Sequence, residues 1–215
     1  MVFDLDPLGI SAGTVFCVGR NYAAHAKELG NSVPTEPVVF LKPASALMHS
    51  GGAIIKPSAS NRVDHEVEVV VALARGGRNI SVEQALDCVA GYAVGIDVTA
   101  RDLQEVAKKK ALPWAVSKGF DTFAPVSDFV SRAQLGDGPL EISLTVNGAL
   151  RQKGSTTQML FPIPQLIAYL STVFTLHRGD LIFTGTPEGV APLQAGDVCV
   201  ATLQADRARL EVTVQ

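Results

Sequence analysis

The run Asp64-His65-Glu66-Val67-Glu68-Val69-Val70-Val71-Ala72-Leu73 constrains this chain more than any other segment. From Val69 onward it is apolar on both faces, the pattern of a strand in the interior of a fold. Side chains alternate along a strand, so Glu66 and Glu68 point to the same side, about 7 Å apart at Cα. Two ionised carboxylates entering a core face repel each other and lose several kcal/mol each by desolvation. A hard divalent cation such as Mg²⁺ or Mn²⁺ resolves both problems, because it takes oxygen ligands and needs neither Cys nor His. The other resolution is a wet strand end where the two acids pair with Lys or Arg.

A third acid lies downstream. Tyr92-Ala93-Val94-Gly95-Ile96-Asp97 is an apolar run that closes on Asp97 and feeds Thr99-Ala100-Arg101-Asp102-Leu103-Gln104. Thr99 with Asp102 three residues on predicts a capped helix running through Lys108-Lys109-Lys110. A carboxylate beside a helix N-terminus can be a ligand or can accept backbone N–H groups. Arg101 and Gln104 share a face of that helix and reach toward whatever Asp97 holds. The plainer reading makes Asp97 a capping side chain and Arg101 a surface charge.

At 215 residues, about 70% of the unfolded chain's surface is buried on folding, enough for one sizeable core. No repeat, low-complexity tract or linker divides the chain, so one domain over residues 1–215 is expected, with residues 1–14 as a short lead-in. The net charge of −3 gives no electrostatic footprint for nucleic acid or anionic lipid. Only 18% of residues are charged, against about 25% in an average domain, so part of the surface is expected to lie in a subunit interface. Cys17, Cys88 and Cys199 are odd in number and far apart, which points to a reducing compartment rather than a disulfide scaffold. The acidic N-terminus has no signal or transit character. The longest uncharged stretch, Gly154 to His177, carries prolines and glutamines and reads as a loop leading into a buried helix. No membrane span is expected, and the cytoplasm is the expected location.

Short β-rich runs dominate: Thr14 to Val18, Pro37 to Leu41, Val67 to Leu73, Tyr92 to Val98, Leu181 to Thr184, Val198 to Leu203 and Leu210 to Val214. Leu140 to Val146 followed by Asn147-Gly148 predicts a hairpin. Helices are fewer: Ser81 to about Val89 behind a Ser81/Gln84 capping box, the Thr99 helix, and Pro164 to Val173. The sum is a β-dominated α+β fold with a few peripheral helices.

With these pieces in order the sequence resembles the fumarylacetoacetate hydrolase family, close to its single-domain acylpyruvase and oxaloacetate decarboxylase branch. The matching blocks are Gly19-Arg20-Asn21-Tyr22-Ala23-Ala24-His25, Phe40-Leu41-Lys42-Pro43, His65-Glu66-Val67-Glu68, Asp97-Val98-Thr99-Ala100-Arg101-Asp102, Leu112-Pro113-Trp114, Val146-Asn147-Gly148 and Thr184-Gly185-Thr186-Pro187. The resemblance implies a mixed β-roll, a Mg²⁺ or Mn²⁺ ion held by Glu66, Glu68 and Asp97, and a homodimer. It implies that the extra N-terminal domain of the full-length hydrolases is absent. It also implies a three-carboxylate site, because Cys17-Val18-Gly19 lacks the further acid those hydrolases carry.

The same resemblance implies the roles. A 2-keto acid chelates the metal, Lys118 acts as a fixed cation, and Arg20, Arg101, Gln104 and Thr186 bind substrate. His25 and Glu28, three apart in a lid segment closed by Gly30 and Asn31, supply the hydrolytic water: Glu28 is the general base and His25 orients the pair. The expected activity is hydrolysis of 3-acylpyruvates such as acetylpyruvate or fumarylpyruvate to pyruvate and a carboxylic acid. Oxaloacetate decarboxylation or keto–enol tautomerisation needs only the metal and the groups that stabilise an enolate, and is the alternative. A 2-keto acid binding protein without turnover is a further one.

Overall fold

The computed structural model describes residues 3–23 and 34–215. In chain order its strands are β1 (Val15–Gly19), β2 (Val38–Lys42), β3 (Leu47–His49), β4 (Ala53–Ile54), β5 (Val63–His65), β6 (Val67–Leu73), β7 (Val89–Ile96), β8 (Thr99–Ala100), β9 (Ala124–Val126), β10 (Val130–Ser131), β11 (Glu141–Val146), β12 (Ala149–Ser155), β13 (Leu181–Phe183), β14 (Ala191–Pro192), β15 (Val198–Leu203) and β16 (Ala208–Val214). The helices are α1 (Val82–Ala85), α2 (Arg101–Lys109), α3 (Ala115–Lys118), α4 (Arg132–Leu135) and α5 (Ile163–Val173).

Three sheets form. The largest runs β2-β1-β13-β6-β7-β9-β3, with β10 also pairing β7. The second runs β12-β11-β15-β16-β4 and the third β14-β5-β8. This is the mixed, β-dominated architecture expected from the sequence, with short helices attached.

The second sheet shows why its strands sit where they do. β16 alternates buried and exposed along its whole length, as a strand with one wet face must. Its inward residues Leu210, Val212 and Val214 join Ile142, Leu144, Cys199 and Ala201. These pack against Val67, Val69, Val71, Val94 and Ile96 of the large sheet, and Leu166, Ile167 and Leu170 of α5 close the same core. The opposite face of the large sheet carries Cys17, Val70, Ala72, Ala93 and Phe183.

Residues 3–12 cover that second face, so the expected lead-in is part of the fold. Leu5 and Ile10 are buried there, and Asp4 bridges Ser11. The helix expected from Ser81 to Val89 is shorter: α1 gives way to a 3-10 turn over Leu86–Cys88, and the Ser81 side chain makes no capping bond. Thr99 does not cap α2 either. It belongs to β8, and the residue before the helix is Ala100.

Two strand connections position the site. β5 pairs with β8 in the small sheet, while β6 pairs with β7 in the large one. The chain therefore changes sheets at Glu66 on one strand and at Asp97 on its antiparallel partner. The N–H of Asp97 donates to the carbonyl of Glu66 at 2.8 Å, tying the two crossings together. Gly95 lies directly opposite Glu68 in this register.

Candidate metal centre

Glu66, Glu68 and Asp97 are all buried, and one carboxylate oxygen from each lies within 4.8 Å of the others. Strand alternation brings Glu66 and Glu68 to one side, and the β6–β7 register brings Asp97 to meet them. Their surroundings are cationic. Lys118 Nζ, at the end of α3, donates to Glu66 Oε2 at 2.8 Å, Asp97 Oδ2 at 2.5 Å and Thr99 Oγ1 at 2.7 Å. Arg101 donates through Nε to Asp64 Oδ2 at 2.8 Å and through Nη1 to Gln104 Oε1 at 2.6 Å, and through Nη2 it binds Glu66 Oε1. Arg101 thus reaches Asp64 and Glu66. Lys42 Nζ lies 2.8 Å from Asp97 Oδ1 and donates to the carbonyls of Val98, Lys118 and Phe123.

Acids and cations interleave at this centre. Asp64, Glu66, Glu68 and Asp97 are four buried acids; Lys42, Arg101 and Lys118 are three buried cations. Half-exposed Arg62 also grips Asp64, through Nε at 3.0 Å and Nη2 at 3.1 Å. Among the described residues, no cation pairs directly with Glu68. It receives the Gly185 N–H at 2.7 Å on Oε2, while Lys118 bonds to the other two acids. Burial, and then the negative charges of Asp97 and Glu66, push the Glu68 carboxyl well above the ordinary glutamate range. Burial alone lowers the pKa of Lys118, but Asp97 and Glu66 outweigh it and hold the ammonium charged. Arg101 behaves the same way under Glu66 and Asp64. Three converging carboxylates are a donor set suited to a hard divalent cation, which would favour the ionised form of Glu68.

The remaining expected residues fall around this centre. Thr186 lies just past β13 with its hydroxyl 2.8 Å from Gln152 Nε2. Gly185 has a φ of 100°, and a Cβ there would sit 2.6 Å from Asn21 Cβ, so this turn needs glycine. Asn21 locks the neighbouring loop, donating through Nδ2 to the carbonyls of Thr184 and Phe161 and accepting from Phe161 N–H. Arg20 is half-buried beside it in a left-handed conformation, φ 60°. Lys108 is held below its ordinary pKa by burial, then by the charges of Arg101 and Arg20. His25 and Glu28 lie outside the described residues.

Lys42 and Asp64 are site residues to which the sequence reading gave no role. The signal for Lys42 was a lysine inside the apolar strand Val38-Val39-Phe40-Leu41-Lys42. For Asp64 it was an acid heading a buried strand.

Comparisons agree with this picture. The family described as Fumarylacetoacetate (FAA) hydrolase C-terminal matches residues 14–215. The oxaloacetate tautomerase FAHD1, mitochondrial, of Arabidopsis thaliana is 50% identical over 188 residues, 87% of this chain and 84% of the relative. The mitochondrial oxaloacetate decarboxylase of Dictyostelium discoideum is 48% identical over 186 residues, 86% of this chain and 85% of the relative. Among solved structures, fumarylpyruvate hydrolase from Pseudomonas aeruginosa in complex with Mn²⁺ and pyruvate superposes with a TM-score of 0.91 at 38% identity, over 95% of this chain and 90% of that one. The chain belongs to the fumarylacetoacetate hydrolase family.

Proposed function

We propose that this chain is a divalent-metal-dependent enzyme acting on small 2-keto acids, with hydrolysis of 3-acylpyruvates as its leading activity. The observation that carries this reading is the convergence of the buried Glu66, Glu68 and Asp97 within 4.8 Å of one another. These three residues would hold Mg²⁺ or Mn²⁺, which supplies Lewis-acid stabilisation of the negative charge developing on a keto oxygen.

The chain's own residues supply the rest. Lys118 has its three N–H groups directed at Glu66, Asp97 and Thr99, so toward a substrate it acts as a fixed positive charge at short range. Arg101 is clamped by Asp64, Glu66 and Gln104, and a guanidinium fork held this way is preorganised for a carboxylate. Because Gln104 Oε1 accepts from Arg101, its amide N–H₂ is turned to donate. Thr186 and Arg20 stand ready for a second carboxylate oxygen. In hydrolysis, water adds its oxygen to the acyl carbonyl carbon as the C–C bond breaks. The bond's electron pair and a proton end on the pyruvate methyl carbon. Glu28 would take the water's proton and His25 would orient the pair.

A second reading is decarboxylation or tautomerisation of oxaloacetate, which needs no hydrolytic water. The identity to relatives named oxaloacetate tautomerase and oxaloacetate decarboxylase favours it. Assays of acetylpyruvate, fumarylpyruvate and oxaloacetate side by side, with and without EDTA, separate the readings. Metal-dependent cleavage of an acylpyruvate supports the first; turnover of oxaloacetate alone supports the second. Turnover of none, in saturating Mn²⁺, removes both.

The reading carries a homodimer and a cytoplasmic location with it. Exposed Leu41 and Leu112 lie beside Trp114 along the edge strand β2, an apolar surface suited to a second copy. All three cysteines are buried and unpaired, as in a reducing compartment.

A further inference from the structure

Gln152 is a buried amide on β12, at the edge of the second sheet, with four hydrogen bonds that leave no orientation open. A register shift in the β11–β12 pairing falls between Leu144, opposite Gln152, and Thr145, opposite Leu150. Its Oε1 accepts from the Val67 N–H at 3.0 Å and faces His65 Nδ1 at 2.8 Å. Its Nε2 donates to Thr186 Oγ1 and to the Pro187 carbonyl, both at 2.8 Å. A backbone N–H can only donate and a backbone carbonyl only accept, so the amide cannot be flipped. Two consequences follow. His65 carries its proton on Nδ1, and the Thr186 oxygen is already an acceptor, which leaves its own O–H to donate elsewhere.

We propose that Gln152 is a positioning residue: it ties the strand bearing Glu66 and Glu68 to the Thr186 loop and turns the Thr186 hydroxyl into a hydrogen-bond donor for a substrate carboxylate. The placement fits, because Val67 lies between the two glutamates and Gly185, bonded to Glu68, directly precedes Thr186. A threonine hydroxyl that can rotate serves either sign of partner. Held by Gln152, it selects an acceptor, and a carboxylate is the acceptor a 2-keto acid brings. This inference rests on the 2-keto acid reading.

The test is a double-mutant cycle read by calorimetric binding of oxalate to the Mn²⁺-loaded protein, with KM and kcat for the best keto acid measured in parallel. Gln152→Glu keeps an acceptor for Val67 and His65 and removes the amide donor; Gln152→Met removes both arms. Each variant is expected to weaken oxalate roughly tenfold and to raise KM more than it lowers kcat. Thr186→Val should weaken oxalate by a similar factor, while Thr186→Ser, which keeps the hydroxyl, should largely restore it. Adding either Gln152 change to Thr186→Val should cost little more, since the group it acts through is gone. Losses that multiply across the cycle overturn the proposal, as does unchanged oxalate binding in a folded Gln152 variant. Full oxalate affinity in Thr186→Val overturns it even if no Gln152 variant folds. Wild-type protein that neither binds oxalate nor turns over a keto acid would count against the proposed function itself.

Discussion

Lys42 Nζ lies 2.8 Å from Asp97 Oδ1, and both side chains are buried. Lys42 is on β2 and Asp97 follows β7, and the ammonium also gathers three backbone carbonyls. Removing one partner of a buried pair strands the other charge, so Lys42→Met is expected to cost about 3–5 kcal/mol. Urea unfolding of the metal-free protein measures this, and a loss below about 1 kcal/mol would show that Asp97 does not need the lysine.

Glu68→Gln separates stability from metal binding. The amide oxygen still accepts the Gly185 N–H, and the least compensated charge of the cluster disappears. The metal-free variant is therefore expected to melt at or above the wild-type temperature. Mn²⁺ at a hundred times its Kd should stabilise wild type by about 2.7 kcal/mol, and Glu68→Gln by far less. Thermal shifts with and without Mn²⁺ report both effects; equal Mn²⁺ stabilisation of the two proteins would remove Glu68 as a ligand.

The same residue fixes a pH dependence. The folded-state pKa of Glu68 is raised, so between the ordinary glutamate value and the folded value the native state binds more protons than the unfolded one. Stability from this group is full below the ordinary value and is lost as pH rises through the folded one. Metal-free wild type should therefore lose more stability than Glu68→Gln as pH rises from about 4.5 through the raised pKa. Melting curves across that range check the difference, and parallel pH profiles for the two proteins would contradict it.

Gly95 faces Glu68 across the β6–β7 pair. A Cβ there would meet Val70 Cγ2 at 2.7 Å and Phe183 Cε1 at 2.8 Å. Gly95→Ala is expected to destabilise by about 1–3 kcal/mol through overpacking. It should also weaken Mn²⁺ binding, because Asp97 lies two residues further along the chain, just past the end of β7. Unfolding and Mn²⁺ titration of the variant measure the two consequences, and a neutral result in both would show that the strands yield without moving the acids.

Much of the centre was legible because its logic is local. Alternation put Glu66 and Glu68 on one side, and an apolar run ending on Asp97 marked a buried strand mouth. The partners of those acids were not legible. Lys42 meets Asp97 only through the β1–β2 pairing and the stacking of distant segments, which no spacing encodes. Thr99 and Asp102 had capping-box spacing, yet Thr99 pairs in β8 opposite Asp64 and its hydroxyl oxygen accepts from Lys118, while Asp102 binds Ser60 and Asn61. Tertiary partners outbid the local motif there. At Ser155 and Gln158 the same spacing does form the box, the Gln158 side chain accepting the Ser155 N–H at 2.8 Å. Residues 3–12 looked like a lead-in because two buried side chains, Leu5 and Ile10, make no periodic pattern.

The central claim is that Glu66, Glu68 and Asp97 hold one divalent ion. Diffraction from crystals soaked in Mn²⁺, recorded above the manganese absorption edge, tests it most directly. One strong anomalous peak is expected about 2.1 Å from an oxygen of each acid. A map with no peak among those oxygens, at a concentration where the protein turns over a keto acid, would contradict the account.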